Sequence, residues 1–387
     1  MHLRLYLTAG FVLAWLAVLP TARAPLAAGV DPQLRQIYRQ ILRDPTNTEL
    51  NLRYARLAES KGELRKALTA YERILLNDPG NREAQTGSRQ ILLLLKPGFT
   101  RWTAILGGDY ASNARQRNRQ FDRGSDLIGT GQLLVIDERR IGGGRWRSKG
   151  QIYADFHKRF RSFDYGYVGG DIGPLLAARG GWTVRPAFGA AYSWLDQQTF
   201  ITELSFLLGI EAPKTGAFQR IDFRFSYDFI GNKFTSRRNG VIFEVAPQFL
   251  VRNLVKRGDG LTIRPSLLYN GATGGEPNPL LVRGDLFPNR YQQFAVRLTY
   301  FVPVMGGKVF VGLNLFSNVR LYVVKVPGQA ERRRDTYLAP GAELVFPQLF
   351  HPKHDLIIQY RFENNVSNDG TENFKNHVAG FRSVWRF

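Results

Sequence analysis

From residue 99 onward, apolar and polar residues alternate one by one in repeated stretches. In the clearest stretch, residues 219–230, Ile221, Phe223, Phe225, Tyr227 and Phe229 alternate with Arg220, Asp222, Arg224, Ser226 and Asp228. A period of two places the two sets on opposite faces of a β-strand. Comparable alternation around Phe294, Val309 and Leu356 extends the pattern toward the C-terminus.

The pattern divides into fourteen strands, predicted to start near Arg101, Thr130, Arg145, Asp164, Trp182, Phe200, Phe218, Gly240, Gly260, Tyr291, Lys308, Thr336, Asp355 and Phe374. Long gaps at Ala111–Gly129 and Gly271–Arg290 alternate with short ones such as Ile141–Gly144 and Ala212–Ala217. Alternating long loops and short turns are typical of outer-membrane barrels. The sequence therefore predicts an all-β antiparallel transmembrane barrel of about 14 strands over residues 99–387.

Both ends of the chain favour a membrane barrel. Trp385 lies two residues before the terminal Phe387, and we interpret this aromatic pair as a barrel-assembly signal read by the barrel-assembly machinery. An apolar run over residues 5–19 follows a basic start, and residues 22–24 (Ala-Arg-Ala) have the form of a cleavage site. We predict a signal peptide over residues 1–28 and insertion into the cell outer membrane.

Residues 29–98 have helical rather than alternating character. Pro45 and Pro79 are 34 residues apart, which is the period of tetratricopeptide repeats. Gly62 suits the turn between two helices. Ala67 is small enough for the point where the helices cross, and Tyr71 would fill the groove beside it. We predict a short all-α tetratricopeptide-like domain over residues 29–98, lying in the periplasm.

One face of this domain is a candidate docking site. The first helix of the complete repeat carries Glu49, Leu52, Arg56 and Glu59 toward the face that such repeats commonly use for peptides. These residues would hold a client or partner. The alternative is a helical plug or spacer that merely packs on the barrel. Asn81 to Lys96 is predicted to form a capping helix.

The polar face of the strands supplies the candidate lumen residues. They are mixed in charge but mainly basic: Arg220, Asp222, Arg224, Asp228, Arg264, Arg297 and Arg361. Two interpretations remain open. The residues form a self-satisfied network that braces the barrel wall, or they guide an anionic or polar passenger.

Charge and residue types narrow the chemistry. The net charge of +21 favours outer-membrane lipids, lipopolysaccharide or an anionic passenger as partners of a secreted chain, and not nucleic acid. The basic run 331–335 is predicted to lie in an outside loop, where it binds lipopolysaccharide phosphates or is solvated. The absence of Cys excludes disulfides and thiolate metal sites. Neither the His351 and His354 pair nor His157 beside Asp155 makes a convincing site, so we predict no enzyme, catalytic residue, metal or cofactor.

The layout of the chain resembles the surface lipoprotein assembly modulator (Slam) family. The first barrel strand carries Gly107-Gly108-Asp109-Tyr110-Ala111-Ser112-Asn113, which looks like the family's Gly-x-x-x-Asp-Ser-Asn motif with Tyr110 and Ala111 inserted before Ser112. The resemblance implies an outer-membrane translocation or assembly factor that delivers client lipoproteins to the cell surface. The alternatives are an exporter of an exopolysaccharide, with a glycan as passenger, and a small-anion porin.

Overall fold

Four helices precede the barrel in the computed structural model, which describes residues 31–116, 124–213, 216–230, 239–272, 290–323, 325 and 330–387. The helices are α1 (Pro32–Arg43), α2 (Thr48–Ser60), α3 (Leu64–Asn77) and α4 (Arg82–Leu95). The predicted signal peptide lies outside the described residues, and so does most of the predicted loop from Gly271 to Arg290. No helix in the described ranges is long and apolar enough to cross a membrane.

Local sequence explains where the helices begin and turn. Asp31 caps α1 by accepting a hydrogen bond from the backbone N–H of Gln33, and Asn47 caps α2 through the N–H of Leu50. Gly62 has a φ of +75° between α2 and α3, a left-handed conformation that suits glycine. Ala67 and Tyr71 are buried on α3, where the sequence predicts the crossing point and its neighbouring groove.

Fourteen antiparallel strands form a closed barrel in chain order, with β1 pairing with both β2 and β14. The strands are β1 (Phe99–Ala111), β2 (Asp126–Ile141), β3 (Gly144–His157), β4 (Tyr165–Ala177), β5 (Thr183–Leu195), β6 (Gln198–Glu211), β7 (Phe218–Ile230), β8 (Gly240–Arg252), β9 (Gly260–Ala272), β10 (Tyr291–Val304), β11 (Val309–Tyr322), β12 (Arg334–Pro347), β13 (His354–Ser367) and β14 (Phe374–Arg386). The predicted fold class and strand number are confirmed. Closure leaves no unpaired sheet edge. Strands that cross a membrane require such closure, because the hydrocarbon core offers no water to satisfy backbone hydrogen bonds.

The wall has an apolar outer face and a polar inner face. Large apolar side chains that are exposed on the outer face include Leu106, Phe156, Phe188, Leu204, Phe225, Phe243, Leu267, Phe294, Leu313, Ile358 and Phe381. Such a surface would be unfavourable in water but suits the hydrocarbon core of a bilayer. The inner face is formed by the residues that alternate with these along each strand.

The two ends of the barrel differ in the length of their connections. At the end where β1 begins, the turns are short: 142–143, 178–182, 212–217, 253–259, 305–308 and 348–353. The opposite end carries the longest connections, 112–125 and 273–290. We call the first the short-turn end and the second the long-loop end.

The chain divides into two compact units, one up to Ala84 and the other from Gln85 to Phe387. The division falls inside α4, so the larger unit contains the barrel and most of this helix. Only three residues, 96–98, separate α4 from β1. Within the smaller unit, α1, α2 and α3 pack in sequence around Leu34, Ala55 and Ile74, which are almost fully buried.

Candidate functional site

The inner wall of the barrel contains all seven candidate lumen residues. On β7, Arg220, Asp222, Arg224 and Asp228 lie opposite the exposed Phe225 and Phe229. The remaining three lie on the inner face of other strands: Arg264 on β9, Arg297 on β10 and Arg361 on β13. Side chains of Arg264 and Arg361 keep 41% and 49% exposure, so the inner wall is accessible to water at both.

Arg224 is the centre of an ion-pair group that spans three strands. Its guanidinium lies 3.4 Å from Glu203 on β6 and 3.5 Å from Glu244 on β8. Arg220 and Arg264 both approach Asp222, at 3.2 Å and 3.9 Å. The Oδ1 atom of Asp228 is buried without a hydrogen-bond partner among the described residues.

Arg264 and Arg297 are direct partners across β9 and β10. Like charges placed opposite each other in a sheet destabilise it. Arg297 lies over the Phe316 ring, with 5.2 Å from the guanidinium carbon to the ring centroid, and makes no ion pair within the part of the chain that the structure describes. Asp222 is therefore the carboxylate that partly balances this arginine pair, through Arg264. The Arg264–Arg297 pair therefore carries more positive charge than Asp222 balances.

Other inner-wall charges form pairs that the sequence did not single out. Arg185 donates to Asp171, and Lys149 is the register partner of Asp171 on the neighbouring strand. Arg361, a predicted lumen residue, donates to Glu363 at 2.7 Å. The alternation of the strands indicates which of these residues face inward, but only the register between strands indicates pairs that cross from one strand to another, such as Arg185 with Asp171.

Arg145 anchors the end of α4 to the barrel. This fully buried side chain donates hydrogen bonds to the backbone carbonyls of Leu93, Lys96 and Pro97, and its Nε lies 2.7 Å from Glu138. Helix ends leave carbonyl groups without intrahelical partners, and a buried cation satisfies them. The side-chain oxygen of Gln90, also on α4, accepts a hydrogen bond from the backbone N–H of Ala177. These contacts fix the connection between α4 and β1 at the short-turn end.

The four docking candidates lie on α2, at spacings that place them along one helix face. Glu49 is exposed and Leu52 is partly exposed. Arg56 instead makes a bidentate pair with Glu83, with both N···O distances at 2.6 Å. That pair raises the pKa of Arg56 and lowers the pKa of Glu83 below its usual range. On this face, Glu49 and Leu52 are thus accessible, whereas Arg56 is held in an ion pair with Glu83.

Glu59 contributes to packing within the helical unit. Burial and a hydrogen bond with Glu59 raise the pKa of Tyr71 above its usual value. Tyr71 is nearly inaccessible, and it holds Glu59 against α3.

Trp385 on β14 and Phe387 just after it lie on the outer face of the barrel. The Trp385 ring lies 4.6 Å from the His354 ring, centroid to centroid, and Phe387 is 59% exposed. The backbone of Phe387 also exchanges two hydrogen bonds with Trp102 on β1, at 2.9 and 3.1 Å. The terminal residue thus takes part in closing the barrel.

His157 and His354 lie in separate environments. His157 Nδ1 is 3.8 Å from Asp155 and 3.5 Å from Asp164 at the long-loop end. His354, in contrast, is buried beside Trp385 and its Nε2 lies 3.0 Å from Ser383 Oγ. Within the described ranges, no group of three or more His, Cys, Asp or Glu residues is placed to hold a metal ion. In the basic run 331–335, Arg333 is largely buried and pairs with Asp335 and Glu372.

No protein-family model and no curated protein matches the chain. Among solved structures, it is similar to the outer-membrane channel DcaP of Acinetobacter baumannii, at 10% identity and a TM-score of 0.42 over 75% of this chain and 97% of that one. It is similar to a bacterial polysaccharide outer membrane secretin at 11% identity and a TM-score of 0.40, covering 74% and 98% of the two chains. It is also similar to OccAB3 of Acinetobacter baumannii, at 7% identity and a TM-score of 0.38 over 75% of this chain and 99% of that one. Similarities this low transfer no function.

Proposed function

We propose that this chain is an outer-membrane translocation factor that receives a lipoprotein in the periplasm and delivers it to the cell surface. The observation that carries the proposal is the combination, in one chain, of a helical unit whose α2 exposes Glu49 and partly exposes Leu52, and a closed barrel with a water-accessible polar inner wall. The outer belt of apolar side chains gives the barrel its place in the membrane. The predicted signal peptide supports a periplasmic location for the helical unit.

The helical unit supplies the client-binding step in this proposal. Glu49 and Leu52 offer a carboxylate and an apolar surface on the same face of α2. Arg56 has a second role, because its pair with Glu83 ties α2 to the first turn of α4. A client that meets Glu49 and Leu52 would therefore contact α2 without displacing this pair.

The double variant Glu49→Gln plus Leu52→Gln tests the docking face while leaving the Arg56–Glu83 pair in place. Surface lipoprotein is measured by protease treatment of intact cells, and total lipoprotein by immunoblotting. We expect at least a fivefold loss of surface lipoprotein with unchanged barrel levels. Leu76→Gln is the matched control, because Leu76 on α3 is 83% exposed. Equal surface display in the double variant and in wild type would contradict the docking role.

A second candidate function, passage of an anionic solute or acidic glycan, is favoured by the opposed Arg264 and Arg297. In that case, the positive charge of this arginine pair attracts the passenger into the lumen. Conductance of the purified barrel in a salt gradient tests this candidate. Anion selectivity that falls in Arg297→Gln and persists in Lys308→Gln, an exposed lysine in a turn, would support it. Selectivity that is absent from the wild type, or unchanged in Arg297→Gln, would exclude it.

A further inference from the structure

The outer surface of the barrel carries a groove of about 570 Å³ where β14, β1, β2 and β3 lie side by side. One row of register partners crosses it: Phe381 pairs with Gly108, Gly108 with Gly129, and Gly129 with Phe156. Two glycines therefore form the floor and two exposed phenylalanines form the walls. Neighbouring strands lie about 4.8 Å apart, so the two walls stand roughly 14 Å apart at the backbone.

The floor of the groove is open at Gly129. A Cβ atom added to Gly129 would meet no heavy atom within 4 Å, whereas one added to Gly108 would lie 3.2 Å from the Phe381 ring. The next row toward the long-loop end contains Ala379, Tyr110 and Leu127, which are also apolar or aromatic. The groove is thus an apolar trough on the face of the barrel that bears the apolar belt.

A cationic cluster closes the trough at the long-loop end. Lys158 lines the groove, is exposed, and makes no ion pair with any described residue. In the connections that follow β1 and β3, the guanidinium carbons of Arg115 and Arg159 lie 4.3 and 5.1 Å from the centroid of the Phe160 ring. Arg161 is exposed as well. The positive charges of Lys158 and of the two arginines over the Phe160 ring favour anions at this rim.

We propose that the trough binds lipid A, the phosphorylated and multiply acylated anchor of lipopolysaccharide. Acyl chains would lie on Gly108 and Gly129 between the Phe381 and Phe156 rings. A phosphate would meet Lys158, since lysine is a common point-charge ligand for phosphate. The pairing of an apolar trough with an adjoining cluster of cations fits a ligand that has both acyl chains and more than one negative charge. The proposal needs the apolar belt to face lipid and the long-loop end to lie at the outer leaflet, and it is independent of what passes through the lumen.

Native mass spectrometry of the full-length protein, purified in detergent and incubated with purified lipid A, tests the site. Gly129→Leu fills the trough, and its added Cβ meets no neighbouring atom, so the barrel should still fold. Lys158→Gln removes the charge at the rim. We expect one retained lipid A per wild-type barrel and at least fivefold lower occupancy in each variant. Leu313→Phe, on the exposed outer face of β11, and Lys308→Gln are the matched controls.

Three further outcomes decide the assignment. Full lipid A occupancy in Gly129→Leu would overturn the trough as the acyl site. Equal retention of a dephosphorylated lipid A would overturn the phosphate contact with Lys158. Equal retention of phosphatidylethanolamine would show that the trough takes any acyl lipid and would overturn the choice of lipid A. Surface display of lipoprotein is measured in the same variants, so that failure of this site is distinguished from failure of the proposed translocation.

Discussion

Arg382 on the last strand donates two hydrogen bonds to Asp109 on the first strand, with Nη2···Oδ2 at 2.5 Å and Nη1···Oδ1 at 3.0 Å. This bidentate pair lies on the inner wall, across the junction that closes the barrel. Charge-assisted bidentate pairs of this kind fix geometry as well as adding free energy. Gln359 on β13 donates a further hydrogen bond to Asp109 at 3.3 Å. The junction between β1 and β14 is thus held by side chains in addition to the backbone ladder.

Gly380, which lies next to this ion pair, is predicted to be important for the stability of the folded barrel. A Cβ atom on Gly380 would overlap both the Asp109 carboxylate and the backbone carbonyl of Gly108. We expect Gly380→Ala to destabilise the folded barrel by about 1–3 kcal/mol, the usual cost of overpacking. The temperature at which the folded band is lost on a gel measures this effect. Gly129→Ala is the control, since its Cβ would meet open space. Equal melting temperatures for the two variants would refute the close approach at the junction.

An arginine on the outer face of β7 should be poorly tolerated. Phe225 is 52% exposed near the middle of this strand, where we expect it to meet lipid. Phe225→Arg should cost about 2–4 kcal/mol, as arginine does near the bilayer midplane. Phe225→Leu is the control and should have a small effect. Urea titration of the barrel in lipid vesicles gives both values, and a loss no larger for arginine than for leucine would mean that this face does not meet lipid.

Removal of the last residue should impair assembly in the outer membrane while leaving secretion intact. Deletion of Phe387 removes the exposed ring and both backbone hydrogen bonds with Trp102. Phe387→Ala removes only the ring. We expect less folded barrel in both variants and a larger loss in the deletion, measured as the heat-modifiable fraction of outer membranes. Normal levels of folded barrel in the deletion variant would contradict this role.

The turn between β8 and β9 should open only in strong acid. Asp259 is buried there, which raises its pKa, but the Tyr300 hydroxyl and the backbone N–H groups of Leu254, Val255 and Lys256 outweigh this and lower the pKa to about 2. A lowered pKa stabilises the folded turn above the unfolded value of 3.8, and the stabilisation is lost as the pH falls through about 2.

Hydrogen exchange of these three amides, corrected for the intrinsic rate, measures the effect. We expect protection to persist to about pH 4 and to disappear toward about pH 2. In Asp259→Asn, protection should be reduced at neutral pH, because a neutral amide accepts weaker hydrogen bonds than a carboxylate. A midpoint near the ordinary carboxyl value, or full protection in the asparagine variant, would contradict this role of Asp259.

The strands were predictable where both faces carry informative side chains. The predicted start of the strand at Phe218 agrees with the structure, and charged and aromatic residues alternate from Arg220 onward. The start of β2 is at Asp126 and not at Thr130. Gly129 and Gly131 present no side chain to the outer face, so the alternation is not visible there.

The contacts that give the site its geometry depend on register and tertiary structure. Arg224 meets carboxylates from the strands on either side only because of the pairing of β6, β7 and β8. No local pattern relates Arg145 to the carbonyl groups at the end of α4, because the contact depends on where the helix meets the barrel. Local sequence predicts which residues face inward, whereas their partners come from the assembled wall.

The contacts of Arg145 also determine how the helical unit should be removed. A deletion through residue 96 would take away carbonyl groups that Arg145 binds and leave a buried charge without them. A deletion of residues 30–81 keeps α4 and these carbonyl groups in place. It also keeps the predicted signal peptide, so the shortened chain should still reach the outer membrane as a folded barrel.

Protease treatment of intact cells that carry the 30–81 deletion is the most direct test of lipoprotein delivery. The account predicts that the client lipoprotein reaches the outer membrane in normal amount but stays protected from protease on its inner side. A parallel assay of secreted glycan should be unchanged. Normal surface display of the lipoprotein beside a folded, shortened barrel would contradict the account.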